Sequence, residues 1–447
     1  MQPRRLVRLS AVALVLTAAW PALAQAADGW TVGGSMRVRY EAVAGQVRPG
    51  FNPSDHLVSL RTILSAEHRR GPLRIGAEVY DSRAWGGDAG TPVSSNDVNA
   101  LELVQAYAAL DLDSEALGPA SVQAGRMMLN IGSRRLVAAD DYRNTTNGYT
   151  GLRADLAPMG LRTTLIYVQP ATRLPDRPDA VLDNRQHPDD ESDALTLWGG
   201  VAARPNAVAG ATLEATYFHL EERDKPGRPT RDRSLDTFGG RVMRDPKAGR
   251  FDYEVEALRQ TGTSSVGAAP GAARQAVAAG FLHADAGYSF VHPWRPRLSA
   301  EFDWASGDRP GGRYNRFDTL FGMRRADFAP SGVFAAIGRA NIATPGVRLE
   351  LAPPGAWDAF VAVRGLWLAS RRDAFSTSGV RDGAGASGRY AGMQAEGRWR
   401  YWLVKDRLRA EVDAAWLAKG RFLKDAPNAP RDGASERYVS LNLTAQF

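Results

Sequence analysis

Residues 30–41 read WTVGGSMRVRYE, and two kinds of side chain alternate along them. Trp30, Val32, Gly34, Met36, Val38 and Tyr40 share one parity, while Ser35, Arg37, Arg39 and Glu41 share the other. Successive side chains of an extended strand point to opposite faces, so the stretch predicts a strand with one apolar and one charged face. The alternation returns at Leu298, Ala300, Phe302 and Trp304 against Arg297, Ser299, Glu301 and Asp303. It returns again at Leu408, Ala410, Val412, Ala414 and Trp416 against Arg407, Arg409, Glu411 and Asp413. The chain ends on it, with Val439, Leu441, Leu443, Ala445 and Phe447 set against Ser440, Asn442, Thr444 and Gln446.

Working outward from these stretches gives about 18 strand segments by the same period-two criterion. They begin near residues 30, 57, 72, 99, 119, 150, 160, 193, 211, 234, 250, 275, 297, 340, 356, 389, 405 and 436. Tight links carry turn chemistry at Arg70-Gly71, Pro158-Met159-Gly160, Asp245-Pro246-Lys247-Ala248-Gly249, Pro353-Pro354-Gly355 and Val404-Lys405. Between them lie long polar stretches at 43–56, 84–98, 129–149, 170–192, 261–274, 307–339, 370–388 and 419–435. Short and long links alternate, as they do in a transmembrane barrel with short periplasmic turns and long extracellular loops. A soluble sandwich has no reason to sort its loops this way, although it too alternates polar and apolar faces. Trp30 and Tyr40 share a face ten residues apart, as do Trp357 and Trp367. Ten residues tilted by about 40° span roughly 25 Å, the height of a membrane band edged by aromatic girdles. The expected fold is all-β: one transmembrane antiparallel β-barrel over residues 27–447. The amphipathic last strand ending in Phe447 fits a signal read by the barrel assembly machinery, and the apolar faces imply contact with outer-membrane lipid and lipopolysaccharide.

Composition agrees with a secreted chain. There is no cysteine among 447 residues, which excludes disulfide frameworks, Cys-zinc sites and thiol nucleophiles. Arg4, Arg5 and Arg8 precede the short apolar run Ala11–Ala19, Pro21 and the small residues of Ala22-Leu23-Ala24 and Ala24-Gln25-Ala26. This predicts a cleaved signal peptide over 1–26, because the apolar run is too short to span a bilayer. Loss of those three arginines lowers the net charge from +7 to +4. So small an excess gives no reason to expect a nucleic-acid partner.

The charged face carries the candidate chemistry. Of 56 basic residues only Lys225, Lys247, Lys405, Lys419 and Lys424 are lysine. Guanidinium is planar, permanently charged and bidentate toward carboxylate or phosphate. Arg37, Arg39, Arg61, Arg74, Arg153, Arg348, Arg398, Arg400 and Arg409 fall on the polar parity, and in a barrel would face the lumen. Glu41, Glu67, Glu78, Asp155, Glu254, Glu301, Asp303, Glu396, Glu411 and Asp413 share that face, so part of the arginine set is expected in ion pairs. The six histidines have no metal-ligand spacing, and no cofactor is expected. His283 and Asp285 share one strand face, the nearest approach to a hydrolase site. The acidic run Asp189-Asp190-Glu191 reads as a solvated loop, with Ca²⁺ binding the alternative.

The stretch 125–155, GRMMLNIGSRRLVAADDYRNTTNGYTGLRAD, resembles the core signature of the alginate-export family of outer-membrane barrels. Ser306-Gly307-Asp308 with Arg316–Phe321 resembles its long outer loop, and Asn341-Ile342 the strand start that follows. Gly385–Gly392 and Lys419–Phe422 resemble its C-terminal region. The resemblance implies an 18-stranded monomeric barrel with an arginine-rich, anion-selective conduit. Carried over by position, Arg126, Arg135, Arg143, Asn144 and Arg153 match the first block, and its arginines are implied to line a constriction and pair with uronate carboxylates. The chain departs from the pattern at Tyr142, where the family often has Trp, and at Thr150, where it often has Asp. The long periplasmic plug placed between the sixteenth and seventeenth strands is replaced by about two residues near Leu403-Val404, which argues against a gate of that kind and against alginate as the cargo. The expected function is passive passage through the outer membrane of anionic solutes, such as an acidic polysaccharide or oligosaccharide of which alginate is the example, along Arg37, Arg39, Arg74, Arg126, Arg135, Arg143, Asn144, Arg153, Arg398, Arg400 and Arg409. A general porin for small nutrients is the alternative.

Overall fold

The computed structural model describes residues 28–447 apart from 325–326, 329, 331–332 and 434; the signal peptide expected at 1–26 lies outside the described residues. The strands are β1 (Gly29–Ala44), β2 (Ser54–Arg70), β3 (Leu73–Trp85), β4 (Asn99–Ser114), β5 (Gly118–Met127), β6 (Tyr149–Leu156), β7 (Arg162–Pro170), β8 (Leu195–Val208), β9 (Ala211–Glu222) and β10 (Ser234–Arg244). There follow β11 (Arg250–Ser265), β12 (Arg274–Ser289), β13 (Arg297–Ala305), β14 (Arg313–Tyr314), β15 (Ile342–Leu351), β16 (Trp357–Trp367), β17 (Tyr390–Val404), β18 (Leu408–Lys419) and β19 (Ser435–Gln446). All nineteen join one sheet. The two-residue β14 pairs in parallel with β12 inside the connection from β13 to β15. The other eighteen strands are antiparallel neighbours in chain order, and β1 closes on β19 with Ser35 opposite Gln446 and Ala44 opposite Arg437. Closure leaves no unpaired sheet edge, the condition for strands to cross lipid without stranding backbone N–H and C=O groups.

The predicted strand starts all fall within three residues of the observed ones, with the largest offsets at 57 and 405. Links of a few residues join β2 to β3, β4 to β5, β8 to β9 and β17 to β18, and both ends of the barrel chain lie on that side. The opposite end carries the long loops. One of them, residues 223–233 between β9 and β10, was not among the expected polar stretches, because Glu221 and Glu222 blend the strand end into the charged loop.

The ambiguous sign of the alternation is resolved by exposure. Trp30 and Val32 are 71% and 69% exposed, while Arg37 and Arg39 are 6% and 1% exposed. The apolar parity therefore faces outward and the charged parity inward, the reverse of a sandwich with an oily core. Gly125 and Gly151, opposite each other on β5 and β6, both have positive φ. A Cβ there would meet the carbonyl oxygens of Ala106 and Tyr167 at 2.3 and 2.2 Å, so neighbouring backbone leaves no space for a side chain. Among the described residues, no helix is long and apolar enough to cross a membrane.

Candidate solute pathway

Two long outer loops fold back into the lumen. The loop between β5 and β6 reaches across the lumen to β18 and β19, where the Tyr142 hydroxyl lies 3.2 Å from that of Tyr438 and 3.3 Å from Asp413 Oδ2. Arg39 stacks over the Tyr142 ring at 4.2 Å, donates to the Tyr142 carbonyl at 2.8 Å and bonds the Asn442 side-chain oxygen. Arg37 and Arg61 are cross-strand partners on β1 and β2. Like charges directly opposed are unfavourable, and here loop carbonyls offset them. Arg37 donates to the carbonyls of Tyr142 at 3.1 Å and Arg143 at 2.8 Å; Arg61 donates to those of Asp141 and Arg143, both at 2.9 Å. The Asn144 amide nitrogen reaches the carbonyls of Leu60, Arg83 and Asp97 and fastens the loop to the wall.

The loop between β13 and β15 joins the first one. Main-chain bonds run from Phe321 N to Leu136 O at 2.9 Å and from Met323 N to Arg134 O at 3.1 Å. Beneath them lies a buried ionic node. Arg135 grips Asp327 with two bonds of 2.8 Å, reaches Glu256 of β11 at 2.8 Å and pairs with Glu254, while Arg339 also pairs with Asp327. Burial alone would raise the Asp327 carboxyl, but the adjacent Arg135 and Arg339 guanidiniums hold it well below the usual carboxylate range.

What remains open is a cavity of about 680 Å³. Arg37, Arg61, Arg134, Arg348, Arg398, Arg400 and Arg409 line it, against the carboxylates of Glu78, Asp141 and Glu411. A second cavity of about 540 Å³ shares Phe360, Arg398 and Arg400 with the first and runs toward the short-turn end at Pro246, Ala248 and Ala352. The arginines are not equivalent. Arg398 and Arg400 share Asp358, Arg348 pairs with Glu350 at 3.0 Å, and Arg409 lies 3.7 Å from Glu411. Among the described residues, no carboxylate stands in ion-pair range of Arg37, Arg61 or Arg134.

Of the residues expected from sequence, Arg37, Arg398, Arg400 and Arg409 meet in this cavity, and Arg39 stands behind it against Tyr142. The others are engaged elsewhere by the protein's own acids and amides. Arg74 pairs with Asp111 and Glu67, Arg126 with Glu102, Asp189 and Glu191, and Arg153 with Asp155. Arg143 holds Asp140, Asn96 and Asn147. In the acidic run 189–191, Asp189 and Glu191 thus meet Arg126, and Asp190 meets Lys225. His283 bonds Asp303 at 2.8 Å, while Asp285 pairs with Arg297. Arg134 was missed. It lies on a loop with no strand parity, and its backbone takes a left-handed turn (φ 63°) that aims it away from its neighbour Arg135.

A closed antiparallel barrel with lipid-facing apolar strands and arginine-lined cavities in its interior has the architecture of an outer-membrane channel. The Alginate export family model matches residues 29–435, and the chain belongs to that family. No curated protein sequence matches it. OpdQ of Pseudomonas aeruginosa has a similar structure, with a TM-score of 0.57 at 10% identity over 93% of this chain and 97% of that one. OccK2 (OpdF) of the same organism, in complex with glucuronate, gives a TM-score of 0.55 at 12% identity over 93% and 96%. A BenF-like porin from Pseudomonas fluorescens Pf-5 gives 0.55 at 12% identity over 93% and 99%. At these identities the likeness is one of fold alone: a closed β-barrel of the kind these outer-membrane proteins form.

Proposed function

We propose that the protein is a passive conduit for anionic solutes, with acidic oligosaccharides as the preferred class. The observation that carries this reading is the cluster of Arg37, Arg61 and Arg134 on the cavity without a carboxylate partner. A carboxylate entering the cavity meets guanidiniums that no wall carboxylate pairs with directly, although Glu78, Asp141 and Glu411 stand on the same wall, and a planar fork suits a uronate carboxylate. The family's association with alginate export and the glucuronate bound to OccK2 concern the same ligand chemistry. No reaction and no energy source are involved, since flow follows the gradient.

Single-channel recordings across planar bilayers under a KCl gradient test the proposal. The expected reversal potential has the sign of anion preference, and a cation-selective pore overturns it. Liposome swelling in neutral sugars of graded size separates a conduit for acids from a general porin, because a general porin admits neutral sugars and uronates of equal size at equal rates.

A further inference from the structure

Away from the conduit, a small cavity of about 210 Å³ opens on the extracellular rim between the β13–β15 and β16–β17 loops. Arg309, Arg313, Arg372 and Arg381 surround it. All four are exposed. Among the described residues, none of them is in ion-pair range of an acid. Asp308 is the single carboxylate in the lining, and its Oδ1 already accepts the Asn315 N–H at 3.0 Å. Arg381 donates to the Arg372 carbonyl at 3.2 Å, which ties the two arginines of one loop together. Four guanidiniums held close without acids repel one another, and an anion relieves that repulsion.

Position selects the anion. Arg313 pairs with Ala276 and Tyr314 with Val277. Val277 is buried on the inward parity, and Tyr314 packs against the same interior cluster. Arg313 therefore stands on the outward parity with Ala276, on the lipid side of the wall. At the outer ends of β16 and β17, which the loop carrying Arg372 and Arg381 connects, Trp367 and Tyr390 form an outward aromatic pair with ring centres 5.3 Å apart, where an interfacial girdle belongs. Arg371 and Arg372 follow Trp367 by four and five residues, and the exposed Arg389 precedes Tyr390. Charges just above a girdle meet the headgroups of the outer leaflet. The geometry points to a binding site for the phosphorylated headgroup of lipopolysaccharide in this rim cavity, with Arg309, Arg313, Arg372 and Arg381 as its donors. Guanidinium forks bind phosphate oxygens bidentately, so the phosphate groups are the recognised feature.

The experiment uses the full barrel in detergent and measures binding of a rough-type lipopolysaccharide, native and dephosphorylated, to the parent protein, to Arg313→Glu/Arg372→Glu and to Arg313→Lys/Arg372→Lys. The native glycolipid is expected to bind the parent at least tenfold more tightly than the dephosphorylated form. The glutamate variant loses that preference and the lysine variant keeps most of it. Heat-modifiable migration on gels reports folding, and single-channel conductance stays at the parent value because the cavity is separate from the conduit. If the glutamate variant fails to fold, Arg309→Gln replaces it, with a smaller loss expected. Equal binding of both glycolipids, or unchanged binding by a folded variant, overturns the assignment. So does displacement of the glycolipid by a uronate oligosaccharide, which would make the rim part of the solute path.

Discussion

Two adjacent arginines show how far residue type is from residue role. Arg135 is buried and pairs with Asp327, Glu254 and Glu256, whereas Arg134 lines the cavity with no acid in range. Removing one partner of a buried ion pair strands the others, at a cost of about 3–5 kcal/mol. Arg135→Ala is therefore expected to lower the denaturant midpoint of the folded barrel sharply. Arg134→Ala is expected to leave that midpoint close to the parent and to reduce the anion-to-cation permeability ratio roughly two- to five-fold, the worth of one nearby charge in a watery pore. Unfolding titrations and reversal potentials on both variants check the contrast; an unstable Arg134→Ala, or unaltered selectivity in it, refutes the division of roles. A second pair acts differently. Arg37 and Arg61 hold the loop carbonyls of Asp141, Tyr142 and Arg143 as well as bordering the cavity. Arg37→Ala/Arg61→Ala leaves those carbonyls without their donors, at about 1–3 kcal/mol. It is expected to raise single-channel conductance while lowering anion preference, a combination that loss of charge alone would not give.

At the scale of elements, the loops are fastened by buried polar groups, and one of these titrates near neutrality. Asp97 lies in the loop between β3 and β4 and is 2% exposed. Its Oδ2 accepts the Ser94 N–H at 3.0 Å, and its carbonyl accepts from Asn144, which binds this loop to the one that crosses the lumen. Burial, reinforced by the negative charge of Glu41, pushes the Asp97 carboxyl up to about 7. In the unfolded chain an aspartate titrates near 4. Between those values the folded form binds the extra proton, so the contribution of Asp97 to stability is complete below about pH 4 and is lost as pH rises to about 7. The barrel's unfolding free energy in urea is expected to fall over that window, by an amount on the order of 4 kcal/mol. Asp97→Asn should flatten this part of the profile, while an unaltered slope would show that Asp97 is not the group responsible.

For the whole molecule, the strands were legible because lipid imposes one period on all of them, and a parity once read at Trp30–Glu41 could be followed to Phe447. The loops obey no period. Nothing in the local sequence around Tyr142 or Asp327 says that these segments fold inward, since Asp413 and Tyr438, the partners of Tyr142, and Arg135, the partner of Asp327, lie far along the chain. The candidate site was therefore half legible: Arg37, Arg398, Arg400 and Arg409 were placed by strand parity, but which arginines the protein's own acids would neutralise depended on loop packing. That packing sets the net field of the conduit. Of the seven cavity arginines, Arg348, Arg398, Arg400 and Arg409 face nearby carboxylates, so the positive excess of the cavity rests on Arg37, Arg61 and Arg134, set against the unpaired Glu78 and Asp141 of the same lining. A field from so few charges in a water-filled passage is open to screening. The Debye length falls from about 10 Å at 0.1 M salt to about 3 Å at 1 M. Anion selectivity measured at a fixed concentration ratio is thus expected to be clear when the mean salt is near 0.1 M and to shrink toward non-selective passage near 1 M. Selectivity that persisted unchanged at high salt would mean that solutes are chosen by close contact at a dehydrated constriction, and the three unpaired guanidiniums would not then suffice to account for it.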